Sequence, residues 1–322
     1  MKPLFFRRAG LILLVLLGAV APASAQPAAQ PAAQPAAQPA AQPAAKTQAF
    51  PTADAAAAAL AEAVRKDDRK AMAAIWGADW RDFVPGSNDD AERRRQAFLA
   101  AWDESRKLVM SGDTKAVIEV GRSGWTLPVP IVKDGAEWRF DVAAGLKDMV
   151  LRRIGHDERG VIQTLLAIVD AQYDYSALDP MKTGAPAYAR RLLSSPGRKD
   201  GLYWDTKAGE PPSPLGPAVA RAQADTKSPD GHFGYYFRLL YSQGPAAPGG
   251  ARDYVVGGRM IGGFAVIASP VQYGVTGIMT FIVSQDGVVY QRDLGPQTAE
   301  RAGAITSFNP DKEWDKADMA LP

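Results

Sequence analysis

A proline recurs at every fourth position from Gln26 to Ala45, in five copies of Gln-Pro-Ala-Ala, and this repeat limits where the chain can fold. Proline lacks the amide that a helix interior needs, and the repeat offers nothing apolar enough to bury. The repeat therefore reads as a semi-extended spacer of up to ~60 Å, at roughly 3.1 Å per residue, within a linker over residues 26–47. Any hydrophobic core has to be built from residues 48–322.

The segment before the repeat has the three parts of a secretory signal. Lys2, Arg7 and Arg8 supply the positive end, Ala9 to Val20 the apolar run, and Ala23-Ser24-Ala25 the small-residue cleavage site. The apolar run is about twelve residues, whereas a membrane span needs roughly twenty, so cleavage after Ala25 is expected rather than a retained anchor. The expected location is periplasmic or extracellular, with no stable membrane span after cleavage. An exported chain with no cysteine has neither disulfide staple nor catalytic thiol. Its stability must come from burial, for which 322 residues at 47% hydrophobic composition are sufficient. Losing Lys2, Arg7 and Arg8 with the signal leaves 34 basic against 35 acidic residues, a balance that disfavours nucleic acid as a partner.

The remainder reads as α+β, in two domains that each pack helices on a small antiparallel sheet. The first, 48–153, opens with a helix capped by Thr52 and running to Arg65, with Ala57, Leu60, Ala61 and Val64 on one face. A short helix from Asp68 to Trp76 comes next, then a third from Asn88–Asp90 carrying Phe98, Leu99 and Trp102, ending at Ser111-Gly112-Asp113. Strands are expected at Lys115–Val120, Thr126–Val132 and Glu137–Val142, the last two joined at Lys133-Asp134-Gly135. The second domain, 154–322, begins within a helix spanning Gly145 to Tyr175, whose Ile162, Leu165, Leu166, Val169 and Tyr173 form an apolar stripe. A long loop rich in proline and glycine occupies 179–231. A meander completes the chain: Tyr235–Tyr241, Tyr254–Val256, Met260–Ala268, Ile278–Ser284 and Val288–Arg292, with a hairpin at Asp286-Gly287 and a last helix from Pro296 to Ile305.

Familiar catalytic signatures are missing from the sequence. With only His156 and His232, a three-histidine zinc site is impossible, and there is no Gly-x-Ser-x-Gly elbow, phosphate loop or calcium loop. No metal or cofactor is expected. His156 beside Asp157 and Glu158 could form a His-carboxylate pair, though solvated charges on a helix explain it as simply. Adjacent acids such as Asp67-Asp68 and Asp89-Asp90 suit helix starts, but a hydrolase needs only two carboxylates brought together in space. The candidate binding site is the segment holding Asp200, Tyr203 and Trp204, together with Tyr235, Tyr236 and Arg259. Flat aromatics with one polar handle suit a sugar, peptide or protein surface; equally, they can pin the loop to the sheet. The expected function is thus non-catalytic binding of an envelope protein or wall glycan, with a hydrolase of envelope material as the alternative.

Several long words carry a resemblance: Ser195-Pro196-Gly197-Arg198-Lys199-Asp200-Gly201-Leu202-Tyr203-Trp204, Pro212-Ser213-Pro214-Leu215-Gly216-Pro217, Gly244 to Gly250 and Thr280-Phe281-Ile282-Val283. They resemble domain-of-unknown-function family 2950, a family of bacterial exported proteins, which implies the exported class and no particular chemistry. The first half is similar to nuclear-transport-factor-like and cystatin-like folds. In the second half, Ala171-Gln172, Tyr175, Gly263 to Pro270, Gly274 to Gly277 and Met279 to Tyr290 are similar to type IV pilin-like globular heads. The chain departs from pilins in lacking their signal and retained assembly helix, so it is not expected to polymerise.

Overall fold

The computed structural model describes residues 47–77, 80–83, 87–222 and 230–318. The signal and almost all of the spacer lie outside these residues, as does part of the long loop.

Thr52 caps α1 (Ala53–Arg65) by accepting the Ala55 amide at 3.0 Å, and Asp68 caps α2 (Arg69–Trp76) through the amides of Lys70 and Ala71. After a short 3-10 turn at Trp80–Phe83, α3 (Asn88–Glu104) starts with a reciprocal capping box between Ser87 and Asp90. The third helix was expected to continue to Ser111, but Ser105 is already extended and β1 (Arg106–Ser111) begins there. Ser111-Gly112-Asp113 instead opens the turn between β1 and β2 (Lys115–Val120), with Gly112 at φ +64°. Leu108-Val109-Met110 fits a strand as well as a helix end, and pairing with β2 decides it.

β3 (Trp125–Thr126), β4 (Ile131–Asp134) and β5 (Glu137–Phe140) complete an antiparallel sheet of order β1-β2-β4-β5, with β3 beside β2. Ala116, Ile118 and Val120 alternate inward along β2 and meet Leu60, Ile75, Trp76 and Trp102 in the first core.

Capped by Asp141, α4 (Val142–Leu178) runs for 37 residues without a break. Its start packs Val142 against the first core, whereas Val161, Leu165, Ile168 and Tyr175 belong to a second core. The expected boundary at 153/154 lies inside this helix, and residues 44–322 form one compact unit.

After α5 (Pro217–Arg221) come β6 (Tyr235–Leu240), β7 (Ser242–Gln243), β8 (Arg252–Asp253), β9 (Val255–Val256), β10 (Arg259–Met260) and β11 (Ala265–Pro270). They are succeeded by β12 (Met279–Ser284), β13 (Val289–Asp293), α6 (Thr298–Ala304) and β14 (Asp315–Lys316). The larger sheet has the order β14-β13-β12-β11-β6, antiparallel throughout, and among the described residues β6 is its last strand. Tyr235 reaches Glu158 of α4 while Arg238 bonds the carbonyls of Ala302 and Ile305, so α4 and α6 cover opposite faces. The architecture is therefore α+β. The continuous strand expected from Met260 to Ala268 is broken into β10 and β11 by Gly262-Gly263. A Cβ on Gly262 would stand 2.5 Å from the Asp253 carbonyl, and Gly263 has φ +133°, outside strand geometry.

One buried hydroxyl in β12 is unsatisfied: Thr280 is 0% exposed and its Oγ1 has no hydrogen-bond partner. Thr280→Val removes that orphan at nearly constant shape and is expected to stabilise the protein by ~1 kcal/mol, raising the melting temperature by about 2–4 °C. A lower melting temperature in a thermal scan would show that the hydroxyl is satisfied after all.

Candidate functional site

A cleft of about 910 Å³ lies between the chain leaving α4 and the β6 edge of the larger sheet. Its first wall is shaped by the end of α4. Asp179 takes a left-handed conformation (φ 40°), and its carboxylate accepts the amides of Thr183 at 3.0 Å and Gly184 at 2.8 Å, turning the chain back. Gln172, fully buried, then clamps that chain with both ends of its amide: Nε2 donates to the Ala189 carbonyl at 3.0 Å, and Oε1 accepts the Ala189 amide at 2.8 Å. Tyr188 donates its amide to Met260 at 2.8 Å, tying the same segment to β10.

Farther on, the loop returns beside itself. Leu202 and Tyr203 donate amides to Arg191 and Leu192, while Asp200 accepts the Ser195 amide at 2.8 Å and the Ser195 hydroxyl at 2.9 Å. Gly201 sits at the crossing, where a Cβ would be 2.7 Å from the backbone of Leu193 and Ser194, closer than any side chain can stand.

Five arginines line the cleft, Arg190, Arg191, Arg198, Arg238 and Arg259, against two aspartates, Asp179 and Asp200. Arg198 is 3.6 Å from Asp200, and Arg259 donates to the Ala185 carbonyl at 2.7 Å while its Nε is enclosed without a partner. Arg190 donates to Gly258 at 3.2 Å, and Arg238 is held at the end of α6. Arg191 is exposed, and its guanidinium makes no hydrogen bond or ion pair among the described residues.

Both aspartates are held below the usual carboxylate range. The backbone amides of Thr183 and Gly184 do this for Asp179. At Asp200, burial pushes upward, but the Ser195 amide and hydroxyl and the nearby Arg198 outweigh it. A depressed carboxylate is a weak base and a poor acid at neutral pH, and both aspartates accept hydrogen bonds from the loop. Their contribution to stability is present above the unfolded-state value of ~3.9 and is lost as the pH falls through their lower folded values. The Ser195 amide resonance is accordingly expected to titrate with a midpoint below ~3.9 and to stop titrating in Asp200→Asn. A midpoint above that value would contradict the assigned bonding.

Of the residues singled out from sequence, Asp200 and Arg259 line this cleft. Trp204 is buried at 9% exposure, edge-on to Tyr175 at 6.4 Å and under Lys199 at 5.2 Å, with its Nε1 unpartnered. Tyr203 is half-buried and donates to Asp205 at 2.6 Å. Tyr235 is wholly buried and Tyr236 half-buried in β6, so the structure does not gather these aromatics into one exposed patch. Tyr175, pushed up to about 12 by burial and then by Asp200 and Asp179, stays protonated and donates to the Lys199 carbonyl at 2.8 Å. The residues missed were Arg190 and Arg191, although Arg190-Arg191 and Arg198-Lys199 put four cations within ten positions of the long loop. His156 is exposed with Nδ1 3.2 Å from Asp157, and His232 packs on Phe233 at 4.6 Å. Neither lines the cleft, and among the described residues no cluster of three metal-ligating side chains occurs.

The arrangement is suited to holding an anionic group and lacks a nucleophile with a competent base: the Ser195 hydroxyl faces Asp200 alone. Residues 47–317 match the model of a family described as protein of unknown function (DUF2950). No curated protein and no solved structure matches the chain.

Proposed function

The chain belongs to the DUF2950 family, and from that premise we propose that it is an exported, non-catalytic binding protein of the cell envelope, with the arginine-lined cleft as its working surface. Export is supported by the signal-like first 25 residues, the spacer behind them and the absence of cysteine. Among the described residues, no helix is long and apolar enough to cross a membrane.

The observation that carries the binding reading is the charge of the cleft: five arginines against two aspartates already committed to the loop, with Arg191 unpaired and Arg259 Nε enclosed and unsatisfied. Charge enclosed in a concave wall attracts opposite charge more strongly than the same charge on open surface. The partner class is an envelope protein or wall glycan that presents carboxylates. Hydrolysis gains no support from the cleft, because a glycosidase or metal hydrolase needs a carboxylate free to carry a proton or hold an ion.

The test is capture of binding components from native envelope extract by the wild-type chain and by Arg191→Glu, which alters an exposed, unpaired side chain and leaves the fold intact. Recovery of one component by the wild type alone supports the proposal. Equal recovery by both proteins, or recovery by neither, overturns the cleft as the binding surface.

A further inference from the structure

We propose that the cleft takes a glycan whose sugar rings carry carboxylates, with one ring lying on Tyr241 and its carboxylate meeting Arg191. This rests on the binding reading above and narrows its ligand to one class.

Tyr241 is the first observation. It follows β6 directly, lines the cleft and is 45% exposed, yet it is held in place. Its hydroxyl donates to the Arg190 carbonyl at 3.1 Å, and its own backbone carbonyl accepts the Tyr254 amide at 2.8 Å, so the ring is tied at both ends. A flat ring that is already immobilised offers a surface for the C–H face of a sugar and loses little conformational freedom when the sugar binds.

The position of the charge is the second observation. The carbonyl that holds Tyr241 belongs to the peptide joining Arg190 to Arg191, so the fixed ring and the unpaired guanidinium depart from the same point of the chain. Arg191 is fixed at its backbone as well, because its carbonyl accepts the Leu202 amide at 3.0 Å. Arg190 is exposed and donates to the Gly258 carbonyl at 3.2 Å through Nη1. Guanidinium forks match carboxylates in a planar, two-bond geometry, and the same donors serve sugar hydroxyls singly. With five arginines against two aspartates, the cleft favours an acidic sugar over a neutral one.

The apolar lining separates a glycan from a peptide. Phe237, Leu239 and Met260 line the cleft but are 0%, 4% and 0% exposed, so none of them opens a pocket for an anchoring side chain. Protein partners draw most of their affinity from anchors buried in such pockets. The large apolar side chains of the cleft that stay exposed are Tyr241 and Met181, the latter at 41%. One flat aromatic face among polar groups is what a sugar ring requires. The volume of about 910 Å³ falls within the roughly 300–1,000 Å³ of ligand pockets, enough for a short oligosaccharide.

The test is isothermal titration calorimetry of the full mature chain with two acidic sugars. One is an oligogalacturonate, whose carboxylate is attached to the ring; the other is a disaccharide ending in N-acetylmuramic acid, whose carboxylate hangs on a lactyl ether. Binding of at least one is expected, and which one binds identifies the source of the carboxylate. Its methyl ester is expected to bind about tenfold more weakly, and Arg191→Gln to weaken the acid about tenfold while leaving the ester within about twofold. Tyr241→Ala is expected to weaken binding about tenfold, whereas Tyr241→Phe, which keeps the ring, stays within about twofold of the wild type. Binding of neither sugar, equal binding of acid and ester, unchanged binding in Tyr241→Ala, or equally tight binding of an oligoglutamate peptide would overturn the inference. If the sugars fail while capture from envelope extract still depends on Arg191, the ligand is of another class and the binding reading stands. If capture is independent of Arg191, that reading falls as well.

Discussion

Gly277→Ala is expected to destabilise the protein by ~3 kcal/mol or more and to lower its melting temperature by at least about 6 °C. A Cβ at this position would lie 2.0 Å from the Tyr235 hydroxyl oxygen and 2.4 Å from two carbons of the same ring. The glycine is needed for space rather than for backbone freedom. Tyr235 cannot retreat: it is 0% exposed, packs on Phe281 at 5.9 Å between ring centres, and its hydroxyl is 2.9 Å from the Met279 carbonyl. The alternative is movement of Gly277 itself, whose carbonyl accepts the Gly274 amide at 2.8 Å in the turn leading to β12. Either way, close-packed surroundings must shift. The mechanism is checked by a double-mutant cycle. Tyr235→Leu removes the atoms that the new methyl would strike, so Gly277→Ala should cost less in that background than in the wild type. Equal costs in both backgrounds would mean that the strain lies elsewhere.

Both Gly277 and the site around it show how far the sequence could be read. Local signals were legible wherever one element decides its own structure. Thr52 and Asp68 start helices as their side chains dictate, and Asp286-Gly287 turns β12 into β13 with Gly287 at φ +70°. The stripe of Ile162, Leu165 and Val169 marks the face of α4 that enters the second core. Legibility ended where distant residues decide. Arg106 to Ser111 continues a helix by its apolar content and becomes a strand only because β2 is available to pair with it. The cleft is a stronger case: its arginines were visible as loop charges, but its walls depend on Gln172 gripping Ala189 and on Asp179 gathering Thr183 and Gly184. Nothing in the spacing of a glutamine within an apolar helix indicates what its amide will hold. Tyr203 and Trp204 were legible as a packed aromatic pair on a long loop, and their partners, Asp205, Tyr175 and Lys199, mix neighbours in sequence with a residue of α4.

The same dependence on distant partners makes Glu158 the most consequential polar residue of α4. One carboxylate oxygen, Oε1, accepts the amides of Ile278 at 2.8 Å and Met279 at 2.9 Å and lies 3.2 Å from the Tyr235 hydroxyl. It thereby fixes the middle of the long helix to the start of β12 and the first residue of β6. Glu158→Ala removes the acceptor from two backbone amides; because Glu158 is half-buried, water replaces part of the bonding, and the cost is ~2–3 kcal/mol. Glu158→Gln retains an acceptor oxygen at the same reach and loses only the charge assistance, which corresponds to ~1–2 kcal/mol. Chemical denaturation of the three proteins should therefore rank them wild type, Gln, Ala. Because α4 passes from one core to the other without a break, the loss should appear as a lower midpoint of a single transition monitored by tryptophan fluorescence, with Trp76 and Trp102 in the first core and Trp204 and Trp314 in the second. Equal stability of the Gln and Ala variants would show that the amides of Ile278 and Met279 do not depend on this oxygen, and two separate transitions would show that the helix does not couple the cores.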